Sequence, residues 1–325
     1  MVQVSEEKAK IIVVGVGNCG GNIITALDPY KIPAKRIAVN TDEASLRKTL
    51  CDVRIHVGSS RSVDERRGAS GMPDLGEKLM EDDVGKITRE IDEDTDVVIG
   101  IAGLGRGTGG GGLPVLLSRL HEERPDTVTL ALVTLPFRTE GKQRRRNAQY
   151  SLDKVSQTAD SYMIFSNELL IRKYRKLSIP EAFRRMNLYI ARIVDQLVRL
   201  DERGTISIDF SDMRRNFKDG DLCFIGIGRE TRRSILESFD TVFHNDYSES
   251  DITGGKAAIT ICEGQESLLK EDEITLIHER LVEKYKISDI YMSIRPKLMA
   301  PTATVTLLVS GVKSHYLDKF MREVD

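Results

Sequence analysis

Residues 103–112 form the most glycine-dense segment of the chain, with glycine at every position except Leu104, Arg106 and Thr108. An apolar run that predicts a buried strand (residues 96–102) precedes the segment, and a helical pattern (residues 113–123) follows it. Each glycine costs roughly 0.5–1 kcal/mol of chain entropy, so such a run indicates a backbone that approaches a ligand closely. Exposed amides between a strand and a helix are typical of phosphate binding.

A second glycine motif has the same context near the N-terminus. Gly15 begins the pattern G-x-G-x-x-G between a predicted strand over residues 10–15 and a predicted helix over residues 22–27. Alone, this pattern indicates either dinucleotide binding, with Asp42 as the ribose carboxylate, or a tight turn without a ligand. Two phosphate loops on neighbouring strands fit a triphosphate held from two sides better than a dinucleotide.

Strand-like and helical patterns alternate through the first half of the chain, which predicts an α/β fold with a doubly wound parallel sheet over residues 1–178. Residues 179–202 have the apolar spacing of a long helix, within a central-helix segment that we draw over residues 179–203. Residues 204–220 form a connecting loop, and residues 221–325 predict a smaller α+β domain with a four-stranded sheet. The other predicted strands cover residues 36–40, 127–135, 161–165, 222–227, 256–262, 287–294 and 303–312, with 206–210 a short strand or extended loop. The other predicted helices cover residues 43–50, 76–92, 142–158, 231–239 and 273–285, and a long loop is predicted over 58–76.

Composition narrows the class of protein. The 325 residues contain 48 Lys and Arg against 50 Asp and Glu, so no net field favours binding to nucleic acid or an anionic membrane. The N-terminus lacks the apolar core of a signal peptide, and no apolar run is long enough to span a bilayer. The four cysteines are scattered, which argues against a disulfide framework or a protein-bound metal centre and favours a cytoplasmic location.

The residues that follow the dense glycine run carry a resemblance to a known family. Residues 103–115 resemble the glycine-rich signature G-G-G-T-G-x-G of the FtsZ/tubulin superfamily, with the Pro-Val that follows it in FtsZ. Other segments resemble FtsZ motifs in the same order along the chain, from residue 10 to residue 312: residues 15–22, 38–42, 67–76, 134–144, 165–168 and 181–187. The chain is therefore identified as a member of this superfamily.

This resemblance implies a site for GTP or GDP with Mg²⁺. Phe183 would stack on the purine, Asn167 and Asn187 would bind the guanine edge, and Glu140 and Arg144 would contact ribose and phosphate. From spacing alone, Phe183 could instead be a helix core residue, and Glu140 with Arg144 could be a solvated i,i+4 pair. The remaining nucleotide-binding residues that the resemblance implies are Gly17, Asn18, Cys19, Gly20, Asn22, Asn40, Asp42, Gly71, Gly105, Arg106, Gly107, Thr108, Gly109 and Gly110.

Residues 205–212 resemble the FtsZ synergy loop, N-x-D-F-x-D. The resemblance implies that Ser207, Asp209 and Asp212 enter the nucleotide site of the next subunit in a head-to-tail protofilament. Two carboxylates near a bound triphosphate can orient and polarise the attacking water. The expected function is thus an assembly-dependent GTPase that forms filaments with itself, in cell division or cell-shape control.

Three features depart from the FtsZ pattern. Ser207 stands where the family has Asn, Arg106 replaces a signature glycine, and the sequence ends at Asp325 without the linker and terminal peptide that recruit membrane adaptors. These departures favour an archaeal, non-standard FtsZ paralogue that contacts membranes only indirectly and could co-assemble with a related FtsZ-like protein. The main alternative is a GTP-binding structural or regulatory filament protein with little hydrolysis. An NAD-dependent oxidoreductase is a further alternative, but no acid or base for hydride transfer is visible.

Overall fold

The structure, a computed structural model, describes residues 8–58, 69–231, 234–298, 300 and 302–323. Its first half is a parallel sheet covered by helices on both faces, because its central strands are continuous apolar runs that are buried throughout. The strands of this half are β1 (Ile11–Val16), β2 (Lys35–Asn40), β3 (Val53–His56), β4 (Val97–Gly103), β5 (Val128–Leu135) and β6 (Ser161–Ser166). The helices are α1 (Gly17–Ala26), α2 (Glu43–Lys48), α3 (Pro73–Thr88), α4 (Gly107–Glu123), α5 (Lys142–Thr158) and α6 (Asn167–Lys173).

These six strands pair in the order β3-β2-β1-β4-β5-β6, all parallel. The order reverses between β1 and β4, which is the point where ligands bind in doubly wound sheets. Alternate residues of β1 belong to opposite layers of the core, with Val14 in one layer and Val13 in the other. The predicted doubly wound α/β class is confirmed.

The central helix α7 (Ile179–Leu197) crosses the molecule after α6 and is shorter than predicted. Ser178 caps its first turn by accepting a hydrogen bond from the amide of Glu181, and Pro180 occupies that turn. From residue 199 to residue 202 the backbone makes i→i+3 bonds, so the predicted end at residue 202 was wrong. Helix α8 (Phe210–Phe217) follows, at a place where the sequence predicted only a loop.

The rest of the chain contains the four predicted strands. The elements are β7 (Asp221–Thr231), α9 (Ile235–Asp240), β8 (Ser250–Asp251), β9 (Ala257–Gly264), α10 (Glu271–Glu279), β10 (Asp289–Pro296), β11 (Thr302–Ser310), β12 (Lys313–Ser314) and α11 (His315–Arg322). The four predicted strands pair in the order β10-β9-β11-β7, and the two further short strands, β8 and β12, pair with each other. The helix predicted over 273–285 leaves α-geometry after residue 279 and continues as a wider π-turn to residue 284.

The sheets of the two halves are joined, which the sequence did not predict. The start of β7 pairs in parallel with β6 through Ser161 and Asp221 and through Tyr162 and Leu222, so that ten strands form one sheet. The domain boundaries drawn at residues 178, 203 and 220 remain predictions.

Several local predictions differ from the structure. Strand β3 and helix α6 were missed because each is short, and most of the long loop predicted over residues 58–76 lies outside the described residues. Helix α3 begins at Pro73, inside that predicted loop. Among the described helices, none combines the length and the apolar character needed to cross a bilayer.

Candidate functional site

A cleft of about 1010 Å³ lies at the carboxyl ends of β1, β4, β5 and β6. It is bounded by the first turns of α1 and α4 on one side and by the first turns of α7 on the other. Most of the predicted nucleotide-binding residues line it: Gly17, Asn18, Cys19, Asn22, Gly71, Gly105, Arg106, Gly107, Thr108, Gly109, Glu140, Arg144, Asn167, Phe183 and Asn187.

Both glycine motifs are the first turns of helices rather than loops before them. Helix α1 begins at Gly17 and α4 at Gly107, whereas the sequence predicted starts at residues 22 and 113. The first amides of a helix have no partner within the helix and carry its partial positive charge. The two turns therefore present unpaired amides to the same cleft, as an anion site requires.

The two turns also approach each other closely. Gly17 has a φ of 71°, and a Cβ at this position would lie 3.0 Å from the amide nitrogen of Gly109. The hydroxyls of Thr108 and Thr41 are 2.7 Å apart, which ties the start of α4 to the end of β2. Only glycine permits this backbone conformation and spacing without strain.

Much of the glycine run has a second purpose, namely helix packing. A Cβ on Gly111 would collide with the carbonyl oxygen of Pro73 on α3, and a Cβ on Gly112 would lie 2.6 Å from Met80 Cε. A Cβ on Gly110 would lie 2.5 Å from the Ser151 hydroxyl of α5, and Gly110 is not among the residues that line the cleft. The glycine run therefore does not serve a ligand alone, in contrast to the prediction from the sequence, because part of it lets α4 approach α3 and α5.

Three other predicted residues lie beside the cleft rather than in it. Gly20 lies on the face of α1 that packs against β4, where a Cβ would lie 2.5 Å from the carbonyl oxygen of Ile101. Asn40 donates from Nδ2 to Asn18 Oδ1 at 2.7 Å and so orients a cleft residue. Asp42 caps α2 by accepting from the Ala44 amide, and the Ser45 hydroxyl, followed by that amide, lowers its pKa.

The wall formed by α7 is aromatic and amide-rich. Phe183 is half-buried, and its ring centroid lies 5.8 Å from that of Phe137, which the sequence argument did not select. Asn187 lies one turn further along α7, and Asn167 is nearly buried at the first position of α6. An aromatic face beside two amide side chains can hold a planar base and read its hydrogen-bonding edge.

The start of α5 closes the third side of the cleft. Glu140 forms an ion pair with Arg144 and accepts a hydrogen bond from the amide of Phe137 at 3.2 Å. Asn147, which sequence reasoning missed, donates from Nδ2 to the carbonyl oxygens of Gly71 at 2.8 Å and Gly105 at 3.4 Å. A polar residue on the buried face of α5 was the only sequence signal for this role.

Arg106 and Cys19 have opposite environments. Arg106 is exposed at the N-cap position of α4, and within the described part of the chain no hydrogen bond or ion pair involves its guanidinium. It can therefore contact an anion in the cleft. Burial raises the pKa of the Cys19 thiol, whose Sγ lies 3.4 Å from Thr134 Oγ1, so this thiol stays neutral and acts as a wall residue.

A second cleft of about 1190 Å³ lies at the opposite, amino-terminal edge of the sheet. Its walls carry charged side chains that pair with each other, for example Lys10 with Asp92 and with Asp94, both at 2.7 Å. Among the described residues that line it there is no glycine turn and no aromatic ring. We therefore place the candidate site in the cleft at the carboxyl edge.

The predicted catalytic residues do not lie in that cleft. Ser207 is exposed and its Oγ accepts from the Gly204 amide at 3.1 Å. Asp209 is exposed at the N-cap of α8, and Asp212 is half-buried in the first turn of that helix. They follow the far end of α7, and a helix of 19 residues spans about 28 Å.

Comparison with known proteins agrees with this geometry. Residues 10–175 match the model for the Tubulin/FtsZ family, GTPase domain. The chain is 31% identical over 318 residues to cell division protein FtsZ 1 of Pyrococcus horikoshii, covering 97% of this chain and 84% of that protein. An FtsZ dimer from M. jannaschii superposes with a TM-score of 0.83 at 30% identity, covering 94% of this chain and 89% of that one. A GTPγS-bound protofilament of CetZ2 from Haloferax volcanii has the same fold, with a TM-score of 0.85 at 22% identity and 96% coverage of both chains.

Proposed function

This chain belongs to the tubulin/FtsZ family, and we propose that it assembles head to tail and hydrolyses GTP at a site shared by two subunits. The observation that carries the proposal is the separation of the two halves of this site within one chain. The glycine cleft lies at the start of α7, whereas Asp209 and Asp212 follow its end. A head-to-tail contact would bring the acidic segment of one subunit to the cleft of the next.

Exposed apolar side chains at both ends of the molecule support this contact. Met72 and Ile179 are half-exposed near the cleft, and Ile206 is half-exposed next to Ser207. Leu298, in the turn after β10, is 98% exposed. A head-to-tail contact at these two segments would cover these apolar side chains and remove them from water. A contact that joins unlike ends propagates as a filament.

In the cleft, we assign the phosphates to the first turns of α1 and α4 and to Arg106, and the base to Phe183. Asn167 and Asn187 would bind the guanine edge, and Glu140 with Arg144 would contact the ribose and a phosphate. The CetZ2 structure, a GTPγS-bound protofilament, is consistent with a triphosphate in such a cleft.

Mg²⁺ fits this site as a phosphate-bound ion. In the described ranges, no three His, Cys, Asp or Glu side chains cluster as a metal site. Mg²⁺ commonly binds substrate phosphates and keeps most of its remaining ligands as water. The Thr108 hydroxyl is the protein oxygen we assign to it, and the ion would neutralise phosphate charge.

We assign hydrolysis to the acidic segment of the neighbouring subunit. Asp209 and Asp212 would accept hydrogen bonds from the attacking water and hold it in line with the γ-phosphate. The first turns of α1 and α4 would stabilise charge on the phosphate oxygens. Because the relative in Pyrococcus horikoshii is named a cell division protein, we extend the proposal to cell division or cell-shape control in the cytoplasm.

A second candidate function is a GTP-binding filament protein with little hydrolysis. The Ser207 hydroxyl accepts a hydrogen bond from its own loop at Gly204, and it is shorter than the family's Asn. It therefore has less reach toward a neighbouring subunit. In this second candidate function, the protein binds GTP and assembles into filaments but hydrolyses little GTP.

The test is phosphate release from GTP as a function of protein concentration, for wild type, Asp212→Ala and Asp318→Ala. Asp318 is the matched control because it is an exposed acid in the first turn of α11, which like α8 has eight residues. We expect specific activity to rise steeply above a threshold concentration in wild type and in Asp318→Ala, and to be lost in Asp212→Ala. Tight GTP binding with negligible turnover in all three proteins would instead support the second candidate.

A further inference from the structure

Arg295, on β10, is a charged side chain that is almost completely buried, with 2% of its surface exposed. Its Nη2 donates to the carbonyl oxygen of Leu200 at 2.6 Å, and its Nε donates to Ser293 Oγ at 3.1 Å. Glu263 Oε1 lies 3.8 Å from Nη1. Burial lowers the pKa of this guanidinium, and burying a charge is costly unless specific partners compensate for it.

Arg295 is connected to the segment that leads to the acidic residues, directly through Leu200 and indirectly through Ser293. Leu200 follows the end of α7, where helix carbonyls lack partners and a cation is favourable. Ser293 Oγ donates in turn to the carbonyl oxygen of Ile206 at 3.1 Å. The backbone of Ile294 accepts from the Thr205 amide at 2.8 Å and donates to the Ile206 carbonyl at 3.0 Å.

Between Leu200 and Thr205, the chain packs directly against β10. A Cβ on Gly204 would collide with the carbonyl oxygen of Ile294 and would lie 3.0 Å from Arg295 Cγ. The Gly204 amide donates to Ser207, which lies two residues before Asp209. The path of residues 200–207 is therefore set by β10 rather than by α7 alone.

We propose that Arg295 is a positioning residue for hydrolysis: it anchors residues 200–207 to β10, so that Asp209 and Asp212 enter the neighbouring cleft at the correct angle. The inference rests on the proposed function, because it assumes that the acidic segment acts on a second subunit. A displacement of about 1 Å can cost on the order of 100-fold in rate. We expect Arg295→Met to lower turnover by about 10- to 100-fold while GTP binding is retained.

A mixing experiment separates positioning from a loss of folding. Arg295→Met has an intact cleft and a misplaced acidic segment, whereas Phe183→Ala has an impaired cleft and an intact acidic segment. Mixed together, the Phe183→Ala subunits supply their segment to the Arg295→Met clefts, so that about a quarter of random head-to-tail contacts are competent. We expect phosphate release from the mixture to exceed that of either variant alone, and no such gain when Arg295→Met is mixed with Asp212→Ala.

If Arg295→Met unfolds at the assay temperature, a milder variant tests the positioning role instead. Ser293→Ala removes only the hydroxyl that links Arg295 to Ile206, and we expect the same gain on mixing with Phe183→Ala. Ser310→Ala is the matched control, because Ser310 is a buried serine on β11 of the same sheet, and its turnover should equal that of wild type.

Separate mixtures test the shared site and the role of Arg295. If Asp212→Ala mixed with Phe183→Ala shows no gain in activity, the shared site itself is wrong. If that mixture gains activity but folded Arg295→Met and Ser293→Ala both turn over GTP at the wild-type rate, or gain nothing on mixing, then Arg295 has no positioning role.

Discussion

Replacement of Phe183 by alanine is the sharpest test of where the nucleotide base lies. The Phe183 ring is half-buried in the wall of the cleft, packed at 38° against the Phe137 ring, and the cleft runs along its remaining surface. Removing an aromatic ring from a stacked base costs about 1–3 kcal/mol. We therefore expect the Kd for GTP to rise roughly 5- to 150-fold, since each 1.4 kcal/mol corresponds to a factor of ten.

The assay is equilibrium binding of GTP below the assembly threshold, so that subunit contacts do not contribute. Leu188→Ala is the control, because Leu188 is an exposed apolar residue of the same helix that does not line the cleft. Loss of the contact between Phe183 and Phe137 alone should lower the free energy of unfolding by about 0.5–1.5 kcal/mol, and a melting curve measures this effect separately. An unchanged Kd in Phe183→Ala, or an equal rise in Leu188→Ala, would refute the assignment of the base to this wall.

Four further changes follow from the geometry. Gly111→Ala should lower the free energy of unfolding by about 1–3 kcal/mol in a denaturant titration, because the new methyl group meets a backbone carbonyl of α3; an unchanged midpoint would contradict the packing argument. Asn147→Ala leaves two loop carbonyls without their donor, and we expect a loss of about 1–3 kcal/mol in thermal unfolding together with weaker GTP binding. Ser207→Asn should raise turnover if the shortened side chain limits hydrolysis, and equal rates in the two proteins would count against the slow candidate. Asp42 has a lowered pKa, chiefly through the Ser45 hydroxyl. Its stabilising effect is therefore present above the usual carboxyl pKa of about 3.9 and is lost as the pH falls through the lowered pKa. In thermal unfolding, Asp42→Ala should be less stable than wild type at pH 7 and equally stable in strong acid.

Local patterns were enough to predict the class of fold and the neighbourhood of the site. Apolar strands, glycine turns and helical spacing each depend on a few consecutive residues, so the alternation of strands and helices could be read directly. Parallel strands place their carboxyl ends at one edge, which is why the two glycine motifs were expected together. Phe183, Asn167 and Asn187 were selected only through the family resemblance, and the spacing of Phe183 alone is also consistent with a helix core.

Features that depend on contacts between distant residues could not be read in this way. Helix α4 begins inside the glycine run although glycine disfavours helices, because its glycines let it pack against α3 and α5. Asn147 reaches Gly71 across 76 positions, and Arg295 reaches Leu200 across 95. Sequence patterns report on neighbours within a few residues, whereas the atoms that hold these loops in place are neighbours only after the chain has folded.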